Sequence, residues 1–123
     1  MIQTLLIIIV IGLLVSRFLP VKGVKQIDAA DMKSQLRRQH QQLIDVRSPV
    51  EFQTNHIKGF RNIPLPQLKE RANQLAKDKE VYVICQSGMR SMQAAKILKK
   101  QGFTQITNIK GGMNAWHLAL NAQ

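Results

Sequence analysis

Apolar positions along the chain follow two regimes. From Leu5 to Val15 they form an unbroken run of eleven residues, and nothing similar recurs downstream. Ile2 to Leu19 is apolar apart from Gln3, Thr4, Ser16 and Arg17. As a helix this stretch would span about 27 Å, enough to just cross a bilayer core. The pattern predicts a transmembrane anchor over residues 1–19, with Pro20 and Gly23 breaking it into a juxtamembrane linker over 20–24. A cleaved signal peptide is the competing reading. Against it, no Lys or Arg precedes the run, and Ser16-Arg17-Phe18-Leu19-Pro20 lacks a small-x-small cleavage pattern. The basic flank of Arg17, Lys22, Lys25 and Lys33 predicts a single-pass protein of the cell membrane whose domain faces the cytoplasm. Anionic membrane lipid is then an expected partner.

Beyond the linker the period changes repeatedly. Val24 to Ile27 can form a brief strand, and Asp28 is placed to cap a helix with Ala29, Ala30, Met32 and Leu36 on its apolar positions, running to about Arg38. Leu43 to Val46 and the β-branched Val81 to Ile84 read as strands. Between them the sequence predicts a short helix at Val50–Thr54, a turn at Asn62–Pro66 and a helix over Leu68–Ala76. An amphipathic helix at Ser91–Lys100 stops at Gly102, followed by a strand at Gln105–Ile109 and a helix from Met113 onward. Strands alternating with helices through short turns predict an α/β domain over residues 25–123, with a mainly parallel sheet covered by helices on both faces.

With 123 residues the chain has room for one such domain. Eighteen Lys and Arg against seven Asp and Glu give a net charge of +11, a field that favours anionic small molecules, anionic lipid or nucleic acid. Nucleic acid is not expected, because the charges are scattered and aromatic residues are few. The single cysteine, Cys85, excludes an internal disulfide and a zinc cluster built on several thiolates. A reducing cytoplasm suits a lone thiol that must stay free.

Cys85-Gln86-Ser87-Gly88-Met89-Arg90 directly follows a buried strand and precedes a helix. At the carboxyl end of a parallel strand, such a loop emerges at the ligand-binding edge of the sheet. Its backbone N–H groups can surround an anion while the next helix presents its positive end. The helix end and Arg90 shift a thiol there toward thiolate, the nucleophilic form. Gly88 permits a tight turn, and Arg90 can close the loop or hold an anionic substrate. The bland reading is an inert cysteine ending a core strand beside an exposed arginine. The residues alone leave the two readings even.

Two further motifs flank the Cys85 loop: Leu43-Ile44-Asp45-Val46-Arg47-Ser48-Pro49-Val50-Glu51-Phe52, continuing through His56-Ile57-Lys58-Gly59-Phe60 to Asn62-Ile63-Pro64, and Gly102-Phe103 through Asn108-Ile109-Lys110-Gly111-Gly112-Met113 to Trp116. With the Cys85 loop between them in order, they resemble the N-terminal and C-terminal signatures of the rhodanese domain family. The resemblance implies a central parallel five-stranded sheet and a cysteine that accepts sulfane sulfur as a persulfide. On that implication, Cys85 takes sulfur from thiosulfate or a low-molecular-weight persulfide and passes it to a thiophilic acceptor. Backbone N–H groups from Gln86 to Arg90 would stabilise the persulfide charge. A six-residue loop is associated, in this superfamily, with sulfur substrates, and a loop one residue longer with arsenate or phosphate chemistry. The rival expectation is a catalytically idle module that binds a partner or senses redox state at the membrane, forming sulfenic acid or a mixed disulfide instead of persulfide.

Asp45 and Arg47, with Glu51 nearby, are read as a structural ion pair shaping the wall of the site, and Arg47 can also lend charge to an anionic donor. His56 is expected to hold a turn rather than act as a base. Gly111-Gly112 lacks the flanking glycines and lysine of a phosphate loop and reads as a turn, and Trp116 reads as a core anchor. His40 and His117 have no second ligand at suggestive spacing, so no metal or other cofactor is assigned. The expected partners are a small-molecule sulfur donor and a thiol acceptor, and no protein partner is named.

Overall fold

The computed structural model describes residues 1–16, 22–35 and 41–121. In chain order the elements are α1 (Ile2–Ser16), β1 (Lys25–Asp28), α2 (Ala29–Gln35), β2 (Gln42–Asp45), α3 (Pro49–Thr54), β3 (Arg61–Asn62) and α4 (Leu65–Arg71). A 3₁₀ turn at Ala72–Gln74 follows, then β4 (Val81–Ile84), α5 (Met89–Lys100), β5 (Ile106–Lys110) and α6 (Gly112–Asn121).

The strands form one sheet of five in the order β1-β5-β4-β2-β3, every pairing parallel. Parallel strands are buried on both faces and read as continuous apolar runs, as Val81-Tyr82-Val83-Ile84 does at the centre of the sheet. Their side chains alternate between two cores. Val81, Val83 and Cys85 join Ile44, Val46, Leu68, Ala94, Leu98 and Ile106 under α4 and α5. Tyr82 and Ile84 join Ile27, Met32, Phe60, Ile109 and Met113 on the other face. The five-stranded parallel sheet with helices on both faces therefore stands as expected.

The expected transmembrane helix does not. No helix among the described residues is long and apolar enough to cross a membrane. Fifteen residues of α1 rise about 22 Å at 1.5 Å each, against a hydrocarbon core of about 30 Å. The sequence count ran on to Leu19, but residues 17–19 of that anchor, and Pro20 and Val21 of the linker, lie outside the described residues. The single-pass localisation, the cytoplasm-facing orientation and the membrane-lipid partner all rested on that span and fall with it. No residue of α1 is buried. The expected extension of α2 to Arg38, and His40, also lie outside the described residues.

Two local expectations are corrected. The Pro-rich segment is the start of α4, which carries proline in its first turn, where the missing N–H costs nothing. The residues just before it, Arg61 and Asn62, pair with Ile44 and Asp45 as β3. That strand is two polar residues long, and its pairing comes from tertiary context rather than from any period.

Leu68 is fully buried between α4 and the sheet. Leu68→Ala should cost about 2–5 kcal/mol through lost burial and the cavity left behind. Urea denaturation reads this as a lowered midpoint at unchanged slope.

Candidate active site

Connections leaving β2 and β4 run to opposite sides of the sheet, β2 toward the edge strand β3 and β4 toward β5. The crevice beyond their carboxyl ends is a topological switch point, where open α/β sheets place their ligands. Arg47 follows β2 and Cys85 follows β4, so both meet at this crevice.

Asp45 and Arg47 are each 1% exposed and form an ion pair of 2.9 Å. Arg47 Nε–H also donates to both Asp45 carboxylate oxygens at 3.1 Å, and the Arg47 backbone N–H donates to Oδ1 at 3.0 Å. Its remaining donors reach outward. One guanidinium nitrogen donates to the Asn55 carbonyl at 2.6 Å and the other to Gln86 Oε1 at 3.1 Å. The Asn62 amide donates to the carbonyls of Asp45 and Arg47 at 3.0 and 2.9 Å. Gln86 then passes the connection to α6, its Nε2 donating to Asn114 Oδ1 at 2.6 Å. Arg47 thus ties the end of β2, the end of α3 and the first residue of the loop after Cys85 into one hydrogen-bonded unit.

The loop itself is shaped by glycine. Gly88 has φ of +107°, a left-handed conformation that favours glycine. It directs its N–H onto Cys85 Sγ at 2.9 Å. The Cys85 thiol also contacts Ser91 Oγ at 3.4 Å, and the Ser91 hydroxyl donates to the Gly88 carbonyl at 3.0 Å. Cys85 is buried at the N-terminal end of α5, which is twelve residues long. On the other side, Met113 and Asn114 N–H groups at the start of α6 donate to the Cys85 and Gln86 carbonyls at 2.8 and 3.0 Å. Gly112, with φ of +58°, lies so close that a Cβ there would fall on the Cys85 carbonyl oxygen. The Gly111-Gly112 pair therefore docks a helix against the back of the loop.

Arg90 is oriented away from a purely solvent role. Its guanidinium grips Glu51 through two parallel bonds of 2.6 and 2.9 Å, a fork geometry that favours arginine. Glu51 also closes a capping box at α3, accepting from the Ser48 N–H at 3.2 Å while its own N–H donates to Ser48 Oγ at 3.2 Å. The expected grouping of Glu51 with Asp45 and Arg47 resolves into two separate pairs. His56 Nδ1–H donates to the Phe52 carbonyl at 2.8 Å, and the ring stacks on that of Phe52. His117 Nε2 meets the Asn55 amide at 3.2 Å, and Trp116 packs against the second core.

Two hollows flank the loop. One of about 500 Å³ is lined by Ser87, Gly88, Met89 and neighbours from β1, β5 and α5, and one of about 360 Å³ lies between Ser48, Pro64 and Arg90. Chemically, the arrangement provides a lone thiol with a backbone donor aimed at its sulfur, a helix N-terminus behind it, and a scaffold of one buried and one partly exposed ion pair around the loop.

The match to known proteins agrees with this geometry. Residues 28–119 match the family model of the rhodanese-like domain. An uncharacterised protein of Bacillus subtilis, YqhL, is 56% identical over 75 residues, covering 61% of this chain and 60% of its own. The thiosulfate sulfurtransferase GlpE of Vibrio cholerae is 31% identical over 93 residues, covering 76% and 88%. A crystal structure of a rhodanese-related protein from Thermoplasma volcanium superposes with a TM-score of 0.69 at 33% identity, covering 76% of this chain and 91% of that one. The chain spans less than two thirds of the Bacillus relative's length.

Two outcomes are expected from the ion pairs. Asp45→Ala leaves the Arg47 guanidinium buried without its partner and should destabilise the domain by roughly 3–5 kcal/mol, measured by urea denaturation. The Arg90 hydrogen bonds hold the Glu51 carboxyl well below its ordinary 4.5, at about 2, and raise the Arg90 value in return. Because the folded state prefers the carboxylate, the pair's contribution to stability is present above pH 4.5 and is lost as pH falls through about 2. Carbon NMR titration of the Glu51 carboxyl should give a midpoint near 2, returning toward 4.5 in Arg90→Ala.

Proposed function

The chain belongs to the rhodanese-like domain family, and we propose that it is a sulfurtransferase in which Cys85 carries sulfane sulfur between a small donor and a thiophilic acceptor. The observation that carries this reading is the 2.9 Å hydrogen bond from Gly88 N–H to Cys85 Sγ within a six-residue loop at the head of α5. That bond aims a fixed backbone donor at the sulfur that would carry the persulfide. The name of the Vibrio relative, a thiosulfate sulfurtransferase, supports the same chemistry.

In the first half-reaction the Cys85 thiolate attacks the outer sulfur of thiosulfate. A Cys85 S–S bond forms, the donor's S–S bond breaks, and sulfite leaves with the electron pair. The enzyme is then Cys85–S–S⁻. In the second half-reaction an acceptor nucleophile attacks the outer sulfur, the S–S bond to Cys85 breaks, and Cys85 departs as thiolate. No base is required, because both nucleophiles react as anions.

On the same reading the other residues take supporting roles. N–H groups of Gln86, Ser87, Gly88, Met89 and Arg90 surround the outer sulfur of the persulfide. Asp45 and Arg47 are positioning residues, acting through the Gln86 side chain on the loop's shape. Arg90 adds positive charge at the rim for an anionic donor, its direction set by Glu51.

Intact mass spectrometry of the reduced chain after incubation with thiosulfate tests this. The expected result is a gain of one sulfur atom, absent in Cys85→Ser and discharged by cyanide as thiocyanate. No gain from thiosulfate or from glutathione persulfide, with sulfenic acid or mixed disulfide forming readily instead, would assign the domain to redox sensing.

A further inference from the structure

Ser91 stands on the buried face of α5 where the packing calls for an apolar residue. Its neighbours at helical spacing are Ala94, Ala95 and Leu98, and all four residues are 0% exposed. A hydroxyl taken out of water costs free energy unless it is hydrogen-bonded, and an alanine would fill the same position without that cost. The Ser91 hydroxyl is bonded, and its partners belong to the site. Its Oγ lies 3.4 Å from Cys85 Sγ and donates to the Gly88 carbonyl at 3.0 Å, while the Gly88 N–H donates to the same sulfur at 2.9 Å. Thiol, hydroxyl and one glycine thus close a ring of three contacts.

A serine hydroxyl has one proton and two lone pairs, and the proton rotates to suit its neighbours. While Cys85 is a thiol, its S–H donates to Ser91 Oγ and the hydroxyl proton goes to the Gly88 carbonyl. Helix serines commonly bond back to a carbonyl three or four residues earlier, which explains the second bond alone. It does not explain the first, which runs to a sulfur at the end of β4. The Gly88 carbonyl also accepts the Met92 N–H at 3.2 Å, so it keeps a partner when the hydroxyl turns away. Once Sγ carries negative charge and no proton, the Ser91 O–H turns onto it with no heavy atom moving.

Resting on the sulfurtransferase reading above, we infer that Ser91 is a catalytic residue of the second half-reaction, its hydroxyl donating to Cys85 Sγ as that sulfur departs. The acceptor's nucleophilic atom bonds to the outer sulfur, the bond from the outer sulfur to Sγ breaks, and its electron pair stays on Sγ. In the persulfide the charge lies on the outer sulfur, and Sγ is a neutral, two-bonded atom that draws a donor weakly. Charge reaches Sγ only as the bond breaks. The Gly88 N–H and the Ser91 O–H then meet it together, and an interaction that strengthens on the way to the transition state accelerates the step. In the first half-reaction charge leaves Sγ, so the same hydroxyl gives no acceleration there.

The two half-reactions separate this role from one in packing. Loading of Cys85 by thiosulfate and its discharge by cyanide are timed in single turnovers of the full chain by quenched mass spectrometry, at a pH where Cys85 is ionised in both proteins compared. In Ser91→Ala discharge should slow roughly tenfold or more while loading is not slowed. Equal slowing of both steps, or no slowing of discharge, overturns the inference. A second readout needs no sulfur transfer and no variant. In the unaltered chain the carbon-13 resonance of the Gly88 carbonyl should move as alkali ionises Cys85 and the hydroxyl turns away, and in Ser91→Ala it should move far less. A carbonyl that stays in place, or moves equally in both proteins, also overturns it. If Cys85 gains no sulfur from any donor while the Gly88 carbonyl loses its donor on ionisation, the turn of Ser91 onto the anionic sulfur stands and the sulfur-transfer reading falls. Sulfur loading with an unmoved carbonyl is the opposite outcome.

Discussion

Two opposite charges, Asp45 and Arg47, sit almost wholly out of water at the end of β2. Removing such ions from solvent costs several kcal/mol each, and the cost is met only when geometry is good and the remaining donors and acceptors are used. Here they are used. Arg47 bonds Asp45 by its side chain and backbone, and spends its outer donors on the Asn55 carbonyl and on Gln86. Asn62 closes the set from below by holding two carbonyls of the same turn. The chain leaving β2, the short strand β3 and the loop after β4 are therefore not independently placed. Each is fixed because one guanidinium must be satisfied.

A second division of charge decides how the site treats an anion. The chain carries a net charge of +11, and the two arginines beside the loop each pair with a carboxylate, Arg47 buried with Asp45 and Arg90 at the rim with Glu51. What is left facing Cys85 Sγ is a backbone donor, the Gly88 N–H, at the start of a twelve-residue helix. Dipoles held by the fold need no reorganisation when charge moves onto sulfur, which is the advantage of a preorganised site. On the proposed reading, the exposed basic surface gathers an anionic donor and the loop acts on it.

Much of this was legible in the residues. The β-branched run at Val81–Ile84 and the apolar Leu43–Val46 placed β4 and β2, because strands buried on both faces leave an uninterrupted apolar trace. Gly88 between Cys85 and Arg90 signalled the tight turn. What stayed hidden has a common cause in long-range pairing. Glu51 and Arg90 are far apart in sequence, so Glu51 was grouped with its local neighbours Asp45 and Arg47, although its capping partner Ser48 was in plain sight. Gln86 and Asn114 meet only because α6 docks on Cys85 through Gly112. β3 is too short and polar to carry a period. The apolar N-terminal stretch misled for a different reason: composition counted residues to Leu19, whereas the described helix covers Ile2–Ser16 and is too short to cross a membrane.

The most direct test of the whole account is a crystal structure of the protein after exposure to thiosulfate. The account predicts density for one additional sulfur about 2.05 Å from Cys85 Sγ, ringed by the N–H groups of Gln86 to Arg90, with the Arg47–Gln86 bond intact. An unmodified or oxygen-bearing Sγ, or an added sulfur lying outside that ring of donors, would contradict it.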